Sequence, residues 1–319
     1  MMRIANGSSS VRPGRRLRRA LTALIVVVIV VIAGLYGSAV YFVNQMTLHR
    51  VEKADYTPEK LSLAAETVAL TSSDGVPLKG WWVPADAPRG IVILLHGMDG
   101  MDASSLLPQA QFLHEVGYSA FVLDMRAHGR SGGRRIGLAF KEPRDVAAAL
   151  DWIKTRPDLA GKPVALLGLS MGGAVAIRTA AARPDVTAVI SVSAYSSVDR
   201  MLAQGMKWMG MPSVVAEAFV PFMRLGMLTV FGVWPATASP LHDIPRVSPR
   251  PILIAHGTAD RQVSVENAYL LKRAAGATAR LWIVDGADHL IFTETGNGQG
   301  SADVAYREHV LQFLNEVMR

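Results

Sequence analysis

A chain of 319 residues, half of them hydrophobic, is long enough to bury a full core. It has no cysteine, which excludes thiol nucleophiles, thiolate metal sites and disulfides. The net charge of +7 sits at the N-terminus: the first 19 residues hold Arg3, Arg12, Arg15, Arg16, Arg18 and Arg19 and no acid, leaving 27 Lys and Arg against 26 Asp and Glu, so no basic folded surface for nucleic acid is implied.

Residues 1–20 read as a basic tail with little to bury. Leu21 to Val43 follows without a single charge. At about 1.5 Å per residue it spans about 34 Å, enough for a hydrocarbon core of about 30 Å. Tyr36, Tyr41 and Phe42 cluster at its far end, as an interfacial belt would. The rival is a cleaved signal peptide with Gly37-Ser38-Ala39 as its cleavage site, but its apolar region would run to only about 15 residues. The arginines before the span outweigh Arg50, Lys53 and Lys60 after it. A single-pass anchor is therefore expected, N-terminus cytoplasmic, with the globular part on the opposite, periplasmic or extracellular, side.

Residues 44–65 read as a polar linker and 66–319 as the folded domain. Glu66–Thr71 and Leu78–Val83 are strand-like runs around a Ser-Asp-Gly turn. The apolar run 90–95 reads as a buried parallel strand, with a helix at about 104–116 and a strand at 118–123 after it. Residues 142–155 carry Val146, Leu150 and Ile153 on one helical face. Strands follow at 164–169, 187–192, 251–255 and 279–284, and a last helix at about 303–317. Strands alternating with helices predict an α/β fold: a doubly wound, mostly parallel, eight-stranded sheet with both faces covered.

The most informative stretch joins strand 164–169 to an Ala-rich helix through Gly168-Leu169-Ser170-Met171-Gly172-Gly173. A serine at the tip of so tight a turn is held clear of the sheet, and the glycines let strand and helix close around it. The same turn puts the Met171 N–H at a helix N-terminus, where negative charge is stabilised. A serine hydroxyl needs a base, and the base needs an orienting acid. His289, after the last strand, is the natural base; Asp260, after the strand before it, is the natural acid, and Asp199 is a second candidate. The order Ser170, Asp260, His289 is the one expected around such an elbow. The N–H groups of Met98 and Met171 are candidate oxyanion donors. His96, His128 and His256 each precede a glycine and read as loop-fixing residues. No His-x-x-x-His or similar pattern suggests a metal.

Between strands 187–192 and 251–255 lies an insertion, about 196–250, rich in Met, Phe and Trp. It reads as a short helical lid over an acyl pocket, with Met206, Trp208 and Phe222 as candidate substrate contacts; an ordinary buried pair of crossover helices is the plainer reading.

Five motifs in order carry a family resemblance: His96-Gly97, Asp124-x-Arg126-x-His128-Gly129-x-Ser131, the Gly168–Gly173 elbow, His256-Gly257-x-x-Asp260, and Asp288-His289. Over about 66–319 the chain resembles the α/β-hydrolase superfamily. Within it, the pattern is similar to the single-pass membrane-anchored α/β-hydrolase-domain proteins and to the serine aminopeptidase/monoglyceride-lipase-like group. The resemblance implies a Ser-Asp-His triad and no cofactor. The expected function is a membrane-anchored serine hydrolase acting on small hydrophobic, lipid-like carboxylic esters. An amidase, peptidase or thioesterase with the same residues, or a catalytically silent binding module of the same fold, are the alternatives. Nothing in the sequence specifies an oligomeric state.

Overall fold

The computed structural model describes residues 13–48, 56–98, 100–237, 239–291 and 304–318. Its centre is built by runs that are mostly apolar. β3 (Ile91–Leu95), β4 (Ser119–Asp124), β5 (Val164–Leu169), β6 (Ala188–Val192) and β7 (Ile252–Gly257) are buried along their whole length. Such runs need cover on both faces, which is why they lie inside a parallel sheet. β1 (Glu66–Thr71) and β2 (Pro77–Val83) form the antiparallel margin, and β8 (Ala279–Val284), only partly buried, forms the other edge. The eight strands run in the order β1-β2-β4-β3-β5-β6-β7-β8, parallel from β4 onward.

Helices fill both layers. α1 (Pro13–Thr47) precedes the sheet; α2 (Leu107–Glu115) and α9 (Val304–Val317) contribute to one core. α3 (Pro143–Lys154), α4 (Met171–Ala182) and α8 (Glu266–Ala275) contribute to the core on the other face. The sequence reading left α8 unassigned. It is ten residues long, and Ala268, Leu271 and Ala275 are its buried apolar positions.

The 196–250 insertion folds as α5 (Val198–Trp208), α6 (Ser213–Phe231) and a short α7 (Pro240–Asp243). Two features of α1 depart from a simple span followed by a linker. The helix begins before Leu21 and continues four residues beyond Val43, and its last turns join the folded core. Leu17 to Ile32 is exposed, whereas Ala39 and Val43 are fully buried in the same cluster as Met223 and Met227 of α6. The Ile136 amide donates to the Thr47 carbonyl at 2.7 Å, and Leu48 pairs with Arg135 as an isolated bridge. Residues 1–12 of the basic tail, and Arg50 and Lys53 of the linker, lie outside the described residues.

Candidate active site

The site is assembled at the carboxyl ends of β3, β5, β6, β7 and β8, where loops in an open parallel sheet converge. β5 ends at Leu169, and Ser170 starts α4 with φ 54° and ψ −116°, a backbone conformation that a non-glycine residue rarely adopts. The glycines around it are there for space. A Cβ on Gly168 would collide with the carbonyl of Gly172, and one on Gly172 with the carbonyl of Leu95. Strand and helix therefore approach to backbone contact and leave Ser170 at the apex. Its amide donates to the Val192 carbonyl at 2.8 Å, tying the bend to the end of β6.

His289 comes from the loop after β8 and is nearly buried. Its Nδ1 lies 2.7 Å from Oδ2 of Asp260, which stands in the loop after β7. Oδ1 of the same carboxylate accepts from the amides of Gln262 and Val263 at 2.9 and 2.8 Å. Nε2 of His256 lies 3.1 Å from Oδ2 and 2.6 Å from the Val263 carbonyl, so His256 fixes the acid loop. Burial alone would raise the Asp260 pKa. The contacts from His256 and His289 outweigh it and hold the carboxyl down at about 2. Of the two acids that the sequence left open, Asp260 is the one against His289. Asp199 is clasped by Nε and Nη2 of Arg224 at 2.9 and 2.7 Å, across α5 and α6. Asp288 accepts the amide of His289 and turns toward Arg261, 3.9 Å away.

Ser170 and His289 line one cavity of about 700 Å³, together with Met98 and Met171. Among the described residues no hydrogen bond joins the Ser170 hydroxyl to the imidazole; such contacts often tighten only when substrate is bound. The Met171 amide stands at the N-terminus of α4. Met98 is held by the loop that His96 organises: His96 Nδ1 donates to the Gly97 carbonyl at 2.7 Å, and Nε2 accepts the Met125 amide at 3.1 Å. Burial lowers the His96 pKa to about 4, partly opposed by that carbonyl, so the ring is neutral at pH 7 and serves as a brace.

The rest of the wall is apolar. Met206 and Trp208 line it, Met206 buried and Trp208 at an exposed rim. Phe222 does not line it, which corrects the sequence expectation. Phe222 stacks on Phe219, centroids 6.0 Å apart, and Phe219 and Met223 line the cavity instead. The helix α6 is apolar on several sides, so its sequence period does not say which side faces inward.

Sequence reasoning also missed Ser193. It follows β6 with φ 50°, and its hydroxyl donates to the His289 carbonyl at 2.7 Å. No motif marks it; the only signal was its place one residue past an apolar strand. Asp124 and Arg126 of the second motif each take another partner. Arg126 binds Asp145 at 2.6 Å and Asp74 at 2.8 Å, and Asp124 binds Arg130 at 2.9 Å.

The family model described as serine aminopeptidase, S33, matches residues 86–230. A solved esterase of Pyrococcus furiosus, Pf2001, superposes with a TM-score of 0.68 at 26% identity, covering 86% of this chain and 99% of that one. The chain belongs to the α/β-hydrolase superfamily. This α/β hydrolase is 28% identical to the monoacylglycerol lipase of Mycolicibacterium smegmatis, over 67% of its own length and 85% of the relative's. It is 28% identical to the human monoglyceride lipase, over 70% and 84%. It is also 26% identical to the uncharacterized protein YfhR of Escherichia coli K12, over 86% and 89%. Its likeness is thus to hydrolases of the esterase and lipase kind, and α1 is a candidate membrane-spanning helix.

Proposed function

We propose that this α/β hydrolase is a membrane-anchored serine hydrolase that cleaves hydrophobic carboxylic esters through an acyl-enzyme on Ser170. The observation that carries the reading is the Asp260–His289 contact at 2.7 Å, with His289 and Ser170 on one apolar-walled cavity. His289 takes the Ser170 proton as the hydroxyl attacks the ester carbonyl. Asp260, ionised at neutral pH, holds the imidazole by Nδ1 and stabilises the imidazolium that forms. Negative charge develops on the former carbonyl oxygen, and the amides of Met171 and Met98 are its donors. His289 then gives the proton to the leaving alcohol. Water, with His289 again as base, releases the acid. Methionine-rich walls that include Met206 and the rim residue Trp208 suit a flexible acyl chain, which supports a lipid-like substrate.

Retention of the N-terminal helix is supported by the burial of Ala39 and Val43 against α6, which cleavage after Ala39 would disrupt. The arginine excess before the span supports a cytoplasmic N-terminus and a hydrolase domain across the membrane.

The test is labelling of the full-length chain in membranes with a fluorophosphonate probe, alongside hydrolysis of esters of graded acyl length. The expected result is labelling that Ser170→Ala abolishes and a preference for long acyl chains. Labelling unaffected by Ser170→Ala, or no hydrolysis of any ester, would overturn the proposal.

A further inference from the structure

The catalytic core does not close the cavity by itself. Phe42, Gln45 and Met46 of α1 line it, together with Met98 and Phe219. These three residues sit in the last two turns of the same helix whose earlier part, Leu21 to Ile32, is exposed and uncharged.

The contact that brings them there is close and specific. α1 and α6 run antiparallel: Tyr36 Oη meets Thr229 Oγ1 at 2.7 Å, and Ala39 lies beside Gly226. A Cβ on Gly226 would stand 3.0 Å from the Ala39 backbone, so the two helices pack backbone to backbone, as small residues allow. Beyond the cavity the end of α1 is tied again, by the Ile136 amide on the Thr47 carbonyl. Between Tyr36 and Thr47 the helix is therefore held at both ends, which gives its cavity-facing side chains fixed positions. Phe42 lies about 9 Å along the axis from Tyr36, and Met46 about 6 Å further. A tether alone would need none of these contacts.

We propose that the anchor helix is part of the substrate site. Phe42 and Met46 form the wall against which the distal end of a long acyl chain lies, and they set its length preference. The occupant is a bilayer-resident ester, whose tail runs along the helix that continues into the membrane. α6 supports this placement, because it leaves Leu225 and Leu228 exposed next to Gly226 and Thr229, the residues that meet α1. The inference rests on the hydrolase reading given above and adds the segment that selects the substrate.

The experiment uses the full-length chain in phosphatidylcholine vesicles and p-nitrophenyl esters from butyrate to palmitate. The readout is the ratio of kcat/KM for the longest ester to that for the shortest. Phe42→Ala and Met46→Ala should each lower this ratio about fivefold to tenfold, the scale expected when a chain loses one or two buried methylene contacts. Phe42→Trp should move the optimum to a shorter chain. Ile29→Ala, on the exposed part of the helix, should leave the ratio unchanged. Phe42 is 45% exposed, so its truncation does not threaten folding. An independent measurement is a fluorophosphonate bearing a long alkyl chain tipped with a diazirine: after labelling, light should join the tip to residues 42–46. A ratio unmoved by Phe42→Ala and Met46→Ala, or crosslinks confined to α5, would overturn the inference while leaving the hydrolase reading intact. Absence of any hydrolysis or labelling by the unaltered chain would overturn both.

Discussion

Nδ1 of His289 and Oδ2 of Asp260 stand 2.7 Å apart, joining the loops after two adjacent parallel strands, β7 and β8. The carboxylate fixes which ring nitrogen carries the proton and so leaves Nε2 free of it, as a base for Ser170 must be. Asp260→Asn keeps the shape and loses that control. kcat for ester hydrolysis should fall about 10³–10⁴-fold with KM changed little. Steady-state kinetics at pH 7 on a soluble ester checks it; a loss smaller than tenfold would remove Asp260 from the proposed machinery.

Ser193 holds the backbone of His289 and does not line the cavity. Ser193→Ala should therefore act as the loss of a positioning residue. kcat should drop about tenfold, on the scale of one lost hydrogen bond, with KM unchanged. The fluorophosphonate labelling rate should fall by the same factor. A change confined to KM would refute this role.

The elbow tolerates no added carbon. Gly172→Ala would place a Cβ inside the Leu95 and His96 backbone, which cannot move without opening β3 from α4. The expected cost is about 3 kcal/mol, at the upper end for overpacking, with hydrolysis lost as well. Urea unfolding followed by circular dichroism gives the number, and an unchanged midpoint would show that the strand and helix can separate cheaply.

Glu142 is fully buried and accepts the amides of Gly137 and Lys141. Burial, reinforced by the charge of Asp145, raises its pKa from 4.5 to about 7. The folded chain therefore keeps a proton that the unfolded chain releases between pH 4.5 and 7. Its contribution is full below pH 4.5 and is lost as pH rises through about 7. The difference is on the order of 3 kcal/mol. Glu142→Gln removes the titration, so stability should fall less steeply between pH 5 and about 8 than in the unaltered chain. Melting temperatures measured across that range decide it; parallel profiles would place the titration elsewhere.

The amino-acid sequence by itself determined whatever is encoded in neighbouring residues. Runs such as Ile91–Leu95 and Val164–Leu169 are apolar at every position, so they had to be buried strands, and their alternation with helices dictated a mostly parallel sheet. Gly168-Leu169-Ser170-Met171-Gly172 is a local device, since the space its glycines leave is filled by residues of the same bend and the strand next to it. The long uncharged run 21–43 was equally plain, because span length and hydropathy are local sums. Tertiary structure decided what depends on partners far along the chain. The choice between Asp199 and Asp260 turned on Arg224, which takes the first and leaves the second for His289. Phe219 rather than Phe222 faces the cavity because α6 is apolar on several sides and only packing selects one. Phe42 and Met46 became cavity residues because Ala39 and Gly226 let two helices meet, 187 positions apart in a linear chain that gives no hint of it.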